Sequence, residues 1–161
     1  MSNKYLPHIH VLAEDDANRQ IANGFLLAPN INNRAVKVLE LPGGWKKTVE
    51  EFTKTYASEM RQLPERRMVL LIDFDDDENR LSYVKSQIPD DLQARVFVLG
   101  VLSEPENLRT DSKKTFEEIG EALAKDCSDN TNELWGHNLL KHNQRELDRM
   151  ASSVKPFLFN K

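Results

Sequence analysis

The fold of this chain is indicated most directly by residues 68–78, which read MVLLIDFDDDE. Five consecutive apolar residues, 68–72, are typical of a central strand in a parallel sheet, where both faces are buried. Five of the next six residues are acidic. An apolar strand that passes directly into an acidic run predicts a sheet with polar functional residues at the carboxyl ends of its strands.

Similar segments on both sides of this stretch extend the prediction. Three further apolar segments are predicted strands: residues 8–13, 35–41 and 95–102. Between the strands, apolar residues recur at helical spacing and stop near Pro29, Pro64 and Pro89. Strands that alternate with helices predict an α/β fold, namely a three-layer sandwich around a mainly parallel sheet of four or five strands.

The last third of the chain predicts a helical extension. Its first helix is expected to be capped by Ser112, and its second to begin near Asn130 with Glu133 as cap partner. Residues 157–159 are predicted to form an edge strand or a packed tail. We therefore expect one domain over residues 1–161, with a core over 8–102 and an extension over 103–161.

Composition narrows the class of protein. The 161 residues carry 22 Lys and Arg against 26 Asp and Glu, a formal charge of −4, with 39% hydrophobic residues. These values are typical of a soluble globular domain. Since no apolar run approaches 18 residues and no signal-like segment opens the chain, we expect no membrane span and a cytoplasmic location. The single cysteine, Cys127, cannot form an internal disulfide.

Acidic residues follow two of the predicted strands. Glu14 begins one acidic group, and Asp73 and Asp75 belong to the other. If the extended geometry persists, Asp73 and Asp75 point the same way, and two such carboxylates favour a cation between them. Mg²⁺ prefers these hard oxygen ligands. If the first and third strands are neighbours, Glu14 faces the same pocket as metal ligand or general acid/base. The simpler alternative is a solvated turn, with Asp77 capping the next helix.

This order of elements, with Glu14 after the first strand and Asp73-Phe74-Asp75 after the third, resembles the TOPRIM domain of topoisomerases, bacterial primases and related nucleases. The resemblance covers residues 8–102. It implies that Asp73 and Asp75 hold Mg²⁺ or Mn²⁺ and that Glu14 acts in acid/base catalysis. The implied function is a small Mg²⁺-dependent nuclease acting on DNA or RNA, in a defence or repair system.

Two residues depart from that family pattern. The family glutamate is usually followed by glycine, and here Asp15 takes that place; nuclease members often carry a further acid where this chain has Asn18. These departures motivate an alternative, a non-catalytic TOPRIM-like interaction module that binds a protein partner.

Two other resemblances give further alternatives. Residues 11–19 resemble the opening of response-regulator receiver domains, which implies a phospho-acceptor role for Asp73 and a role for Lys155 beside Pro156. The stretch between Glu14 and Asp73 is longer than a receiver usually has. The motif Asp73-Phe74-Asp75 also resembles the nucleophile motif of haloacid-dehalogenase-like phosphatases, although that motif normally lies on the first strand.

The charge outside the two acidic groups is compatible with a nucleic-acid substrate. Without residues 14–16 and 73–78, 18 acids face 22 bases, so the rest of the chain is mildly cationic. Basic residues near the ends of core elements are candidates to hold phosphates: Arg19, Lys46, Lys47, Arg66, Arg67 and Arg80. Trp45 is a candidate to stack on a base, and Glu104 or Glu106 to serve as an accessory ligand.

Overall fold

The computed structural model describes residues 4–40 and 43–160. In this part of the chain four strands form one sheet: β1 His8–Ala13, β2 Val36–Glu40, β3 Arg66–Leu71 and β4 Val96–Leu99. All neighbouring strands run parallel, in the order β2-β1-β3-β4. The predicted α/β fold with a parallel sheet is confirmed.

Helical residues, those of the 3₁₀ and π-helical turns included, make up 56% of the described residues. Eight α-helices connect and flank the strands in this part of the chain. They are α1 Asp16–Phe25, α2 Gly44–Glu51, α3 Ala57–Gln62, α4 Glu78–Gln87, α5 Pro105–Ser112, α6 Phe116–Asp129, α7 Gln144–Ser153 and α8 Lys155–Leu158. A π-helical turn, Phe52–Tyr56, joins α2 to α3. Within the described ranges no helix is both long and apolar enough to cross a membrane.

The strand order places a switch point at the middle of the sheet. From β1 the chain moves to one side to form β2, and then crosses to the other side of β1 to form β3. The ends of β1 and β3 are aligned, because Ala13 pairs with Leu71. In open parallel sheets, ligands bind in the crevice beyond the carboxyl ends of the strands at such a point.

Alternation along the strands divides the apolar residues between two layers. Leu12, Met68 and Leu70 face the layer of α2, α3 and α4 and are fully buried there. Ile9 and Val69 face the other layer, which contains α1, α6 and α7. The protein is therefore the three-layer sandwich that the sequence predicts.

Two glycines bring α1 and α6 into close contact. A Cβ atom on Gly24 would lie 2.1 Å from the carbonyl oxygen of Glu117, and one on Gly120 would lie 2.0 Å from that of Ile21. Larger residues would therefore force the two helices apart. This contact fixes α1, whose first turn carries the polar residues described below.

The predicted elements of residues 8–102 are present, with small shifts at their ends. The third strand spans Arg66–Leu71 and the helix after it begins at Glu78, where Asp77 is the predicted cap. The second strand ends at Glu40. Its predicted last residue, Leu41, lies outside the described residues, as does Pro42.

The predictions for the extension are partly wrong. Ser112 does not cap a helix: it is the last residue of α5, a helix that the sequence analysis did not predict. The next helix, α6, is capped instead by Thr115, which forms a capping box with Glu118. Thr115 is a better cap because it precedes its glutamate by the three residues that the motif requires.

The predicted second helix of the extension also begins later than expected. Asn130 ends α6 in a left-handed conformation, φ 57°, and α7 starts only at Gln144. The intervening loop is held by buried Asp126, whose carboxylate accepts hydrogen bonds from the backbone of Leu134 at 2.7 Å and from the hydroxyl of Thr131 at 2.7 Å. A side chain that satisfies this many donors replaces the hydrogen bonds a helix would make. Phe159, in the predicted tail, forms a single antiparallel bridge with Ile31.

Candidate metal centre

Three carboxylates meet at the switch point of the sheet. Each of Glu14, Asp15 and Asp73 offers an oxygen, and these oxygens lie within 4.8 Å of one another. Glu14 and Asp73 follow neighbouring strands, and two hydrogen bonds join the strand ends: the amide of Glu14 donates to the carbonyl of Leu71 at 3.1 Å, and the amide of Asp73 donates to the side-chain Oε1 of Glu14 at 3.1 Å. The predicted proximity of the two strand ends is thus present.

Asp15 joins the cluster because it is the N-cap of α1. Its backbone is extended, and its carboxylate accepts a hydrogen bond from the amide of Asn18 at 2.9 Å. The side-chain amide of Asn18 donates to both Asp15 Oδ1 and Asp73 Oδ1, at 2.9 Å each. Asn18 therefore links the start of α1 to the end of β3.

Burial changes the protonation of these groups. Burial, with the hydrogen bond and charge of Asp73 as further causes, raises the pKa of Glu14 to about 9. Burial also raises the pKa of Asp73, and the negative charges of Asp15 and Glu106 act in the same direction. Carboxylates this close hold a proton between them at neutral pH unless a cation replaces it.

The residues present fit a divalent cation. Carboxylate and amide oxygens are hard ligands of the type that Mg²⁺ and Mn²⁺ take. In Asn18 the Nδ2 faces the two aspartates, while Oδ1 is buried and accepts no hydrogen bond from the described residues. An unpartnered buried carbonyl oxygen is costly, and a cation beside it would remove that cost. The ligand set shows no preference between the two metals.

Asp75 lies apart from this cluster. Regular strand geometry ends at Leu71, and Asp75 adopts a left-handed conformation with φ 49°. Its side chain is 63% exposed and approaches the guanidinium of Arg80 at 4.0 Å. The alternation that would have put Asp75 beside Asp73 requires extended backbone, and the turn at residues 75–76 interrupts it.

Arg80 fixes the loop between β3 and α4. Its Nη1 donates to the carbonyl of Asp73 at 2.7 Å, and its guanidinium lies 4.5 Å from the centre of the Trp45 ring. Tyr83 meets Trp45 edge to face at 5.8 Å. The predicted basic residue Arg80 and the predicted stacking residue Trp45 therefore lie in contact, next to the carboxylate cluster.

Four of the other basic candidates lie against different partners. Arg66 and Arg67 begin β3, so they lie at the amino ends of the strands, whereas the cluster lies at the carboxyl ends. Arg66 donates to the ring of His8 at 3.0 Å. Arg19 forms an ion pair with exposed Asp16 on α1. Lys46 lies over the ring of Trp45. The side chain of Arg80, by contrast, donates to the backbone carbonyl of Asp73 within the cluster.

Lys155 and His10 also have defined surroundings in the structure. Lys155 lies on α8, where its ammonium donates to Asn130 Oδ1 at 2.5 Å. His10 is half-buried beside His8, and burial lowers the pKa of His10 to about 4, so it is neutral at pH 7. Neither residue forms part of the carboxylate cluster.

Sequence reasoning treated Asp15 and Asn18 as departures from a family pattern, and the structure places both in the cluster. The signal that could have found them is their spacing. An Asp at the N-cap and a polar residue three positions later meet at the first turn of a helix. Because α1 begins where β1 ends, that turn lies over the switch point.

No protein-family model matches this chain, and neither a curated protein nor a solved structure was found to match it.

Proposed function

We propose that the protein is a divalent-cation-dependent phosphodiester hydrolase that acts on nucleic acid. One observation carries the proposal: Glu14, Asp15 and Asp73 converge at the switch point of a parallel sheet, where the side-chain amide of Asn18 links the two aspartates. Clustered carboxylates at this position are suited to a cation that is shared with phosphate.

Each residue in and beside the cluster would have a separate role in the reaction. Asp15, Asp73 and the Asn18 oxygen would hold the cation, which supplies charge stabilisation for the phosphate and a site for water. Glu14, the most buried acid of the three, would hold or release a proton at its carboxylate. Arg80 would keep the 73–77 loop in place through the Asp73 carbonyl.

Charge distribution supports nucleic acid as the substrate. The acids are concentrated at the two strand ends, and the remainder of the chain has more basic than acidic residues. Arg80 and Trp45, beside the cluster, supply a cation and an aromatic ring of the kinds that contact phosphates and bases.

The direct test is a cleavage assay with labelled DNA and RNA, single- and double-stranded. We expect cleavage with Mg²⁺ or Mn²⁺, none with EDTA, and loss of cleavage in Asp73→Asn. Cleavage that persists in EDTA or in Asp73→Asn would overturn the proposal, because the carboxylate cluster would then be unnecessary.

A second candidate is a phospho-acceptor domain, and the position of Asp15 favours it. Adjacent acids after β1 face an aspartate after β3. This is the arrangement of acids that the resemblance to receiver domains implies. In this alternative Asp73 would accept phosphate from a small phosphodonor. Stable, Mg²⁺-dependent labelling of Asp73 by acetyl phosphate, without nuclease activity, would favour it. If neither activity nor cation binding were found, an interaction module would be the better account.

A further inference from the structure

The layer of α1, α6 and α7 covers the sheet incompletely. On the opposite face, Leu12, Leu70 and Ile72 are fully buried. On this face, Val11 of β1 and Leu71 of β3 are only partly buried, although both belong to the inner strands. Inner parallel strands are normally buried on both faces, so partial exposure at the centre of the sheet indicates space within the layer.

That space consists of two adjoining cavities. The inner one has a volume of about 110 Å³ and is lined by apolar side chains, among them Val11, Val38 and Leu26. The outer one has a volume of about 290 Å³. Both are lined by Phe25, Leu99, Trp135, Met150 and Leu158. Together they reach the lower part of the range of about 300–1,000 Å³ that is usual for small-molecule sites.

The two ends of this space differ in polarity. The outer cavity is bordered by Asn130, Thr131, Gln144 and Lys155, whereas the inner end has no polar lining residue. Two acids also border the outer cavity, and both have donors of their own: buried Asp126 accepts hydrogen bonds from the loop of residues 131–135, and exposed Asp148 accepts one from Gln144. The ammonium of Lys155 donates to Asn130 in a solvent-exposed hydrogen bond, and this neutral partner does not balance its charge.

We propose that this space binds a medium-chain carboxylate ligand, with its apolar chain against Val11 and Met150 and its carboxylate at Lys155. Three features select this occupant: an apolar inner end, a cation at the outer end, and a volume suited to one small molecule. The proposal does not depend on the carboxylate cluster, which lies at the carboxyl edge of the sheet.

Binding is tested with decanoate, titrated calorimetrically into the full chain after passage over a lipid-removing resin. A Trp45→Phe variant leaves Trp135 as the single tryptophan, so its fluorescence reports on the cavity. We expect saturable binding of one decanoate, a change in Trp135 fluorescence, and slower labelling of Cys127, which lines the outer cavity.

Three variants locate the ligand. Lys155→Met is expected to weaken decanoate binding about tenfold and to leave decanol binding unchanged, since only the carboxylate loses its partner. The matched control is Lys141→Met, an exposed lysine outside both cavities, for which no change is expected. Val11→Phe fills the inner cavity and should abolish binding of both ligands; Met150→Trp, at the shared wall, repeats the test if Val11→Phe does not fold.

Three outcomes would overturn the proposal. The first is no binding of decanoate or decanol at millimolar concentration, with Cys127 labelled at the same rate throughout. The second is binding that survives both cavity-filling variants, which would show attachment to the outer surface. The third is a dimer in which Cys127 is protected without ligand, which would show that a second copy covers the opening.

Discussion

The two acidic segments of this protein, residues 14–16 and 73–78, look alike in sequence but differ in their surroundings. In the first segment Glu14 is 5% exposed, and Asp15, the N-cap of α1, places its carboxylate in the same cluster. In the second segment Asp73 belongs to this cluster, whereas the side chain of Asp75 is exposed to solvent. Whether an acid belongs to the site therefore depends on its position relative to the strand end. It does not depend on how many acids the segment contains.

The difference has a physical cause in the backbone. The end of β1 passes directly into α1, whose first turn directs Asp15 and Asn18 over the sheet. The end of β3 passes instead into a turn with two left-handed residues, Asp75 and Asp76. Asp is one of the few residues other than Gly that adopts this conformation readily. The acids of the second segment thus include residues selected for the turn itself.

The largest expected effect separates Asp73 from Asp75. Asp73→Asn removes a charge at the centre of the cluster, and we expect the rate of metal-dependent cleavage to fall about 100-fold or more, in line with loss of a metal ligand. Asp75→Asn is the matched control, since Asn tolerates the same backbone conformation. We expect its rate to stay within about threefold of the unchanged protein. If single-turnover assays showed equal losses of cleavage rate in Asp73→Asn and Asp75→Asn, the predicted difference between the two residues would be wrong.

The next effect concerns stability and pH. With EDTA present, folded Glu14 keeps its proton up to a pKa of about 9, whereas the unfolded chain loses it near its ordinary pKa of 4.5. The folded state binds more protons in that window, so the free energy of unfolding falls as pH rises from 5 toward 9. We expect a decrease of more than about 1.4 kcal/mol, the equivalent of one pKa unit, in urea melts.

Glu14→Gln should remove most of that pH dependence and stabilise the cation-free protein at pH 8, because the unfolded chain then gains no free energy by losing a proton at this position. Glu50→Gln, at an exposed position, is the control and should retain the slope. A steep slope that persists in Glu14→Gln would mean that other groups cause it.

A smaller effect is expected at Asn18. Asn18→Leu keeps the approximate size of the side chain but removes the link between Asp15 and Asp73 and the free oxygen. We expect cation affinity to fall about tenfold, measured by Mn²⁺ titration. Asn23→Ala, elsewhere on α1, should leave affinity unchanged. An unchanged affinity in Asn18→Leu would remove Asn18 from the ligand set.

The smallest effect belongs to the exposed acids of the second segment. Asp77 accepts a hydrogen bond from the amide of Asn79 at 2.9 Å as the N-cap of α4. Asp77→Ala should reduce the free energy of unfolding by about 1 kcal/mol without changing cation affinity. Glu78→Gln, its neighbour in the first turn, should cost less than about 0.5 kcal/mol. Loss of cation binding in Asp77→Ala would contradict a purely structural role.

Much of the core could be predicted from the sequence because its signals are local. The apolar run that ends in Asp73, and Asp77 before a helix, each indicate their structure within a few residues. The extension was harder to predict. There, Asp126 satisfies backbone groups up to nine residues further along the chain, and a hydrogen-bond pattern of that kind leaves no periodic trace.

The site was predicted in part for a similar reason. Glu14 and Asp73 follow from strand ends that a parallel sheet aligns. The contributions of Asp15 and Asn18 depend on where α1 begins, and the position of Asp75 depends on two left-handed residues. Such details at the ends of elements are the least predictable from pattern alone.

The most direct test of the account is a calorimetric titration of Mg²⁺ or Mn²⁺ into the unchanged protein, Asp15→Asn and Asp75→Asn. Asn is also a good N-cap, so Asp15→Asn removes a ligand charge and leaves α1 intact. The account predicts one bound cation, an affinity at least about tenfold lower in Asp15→Asn, and little change in Asp75→Asn. An affinity lost in Asp75→Asn and retained in Asp15→Asn would contradict it, because the cation would then lie between Asp73 and Asp75.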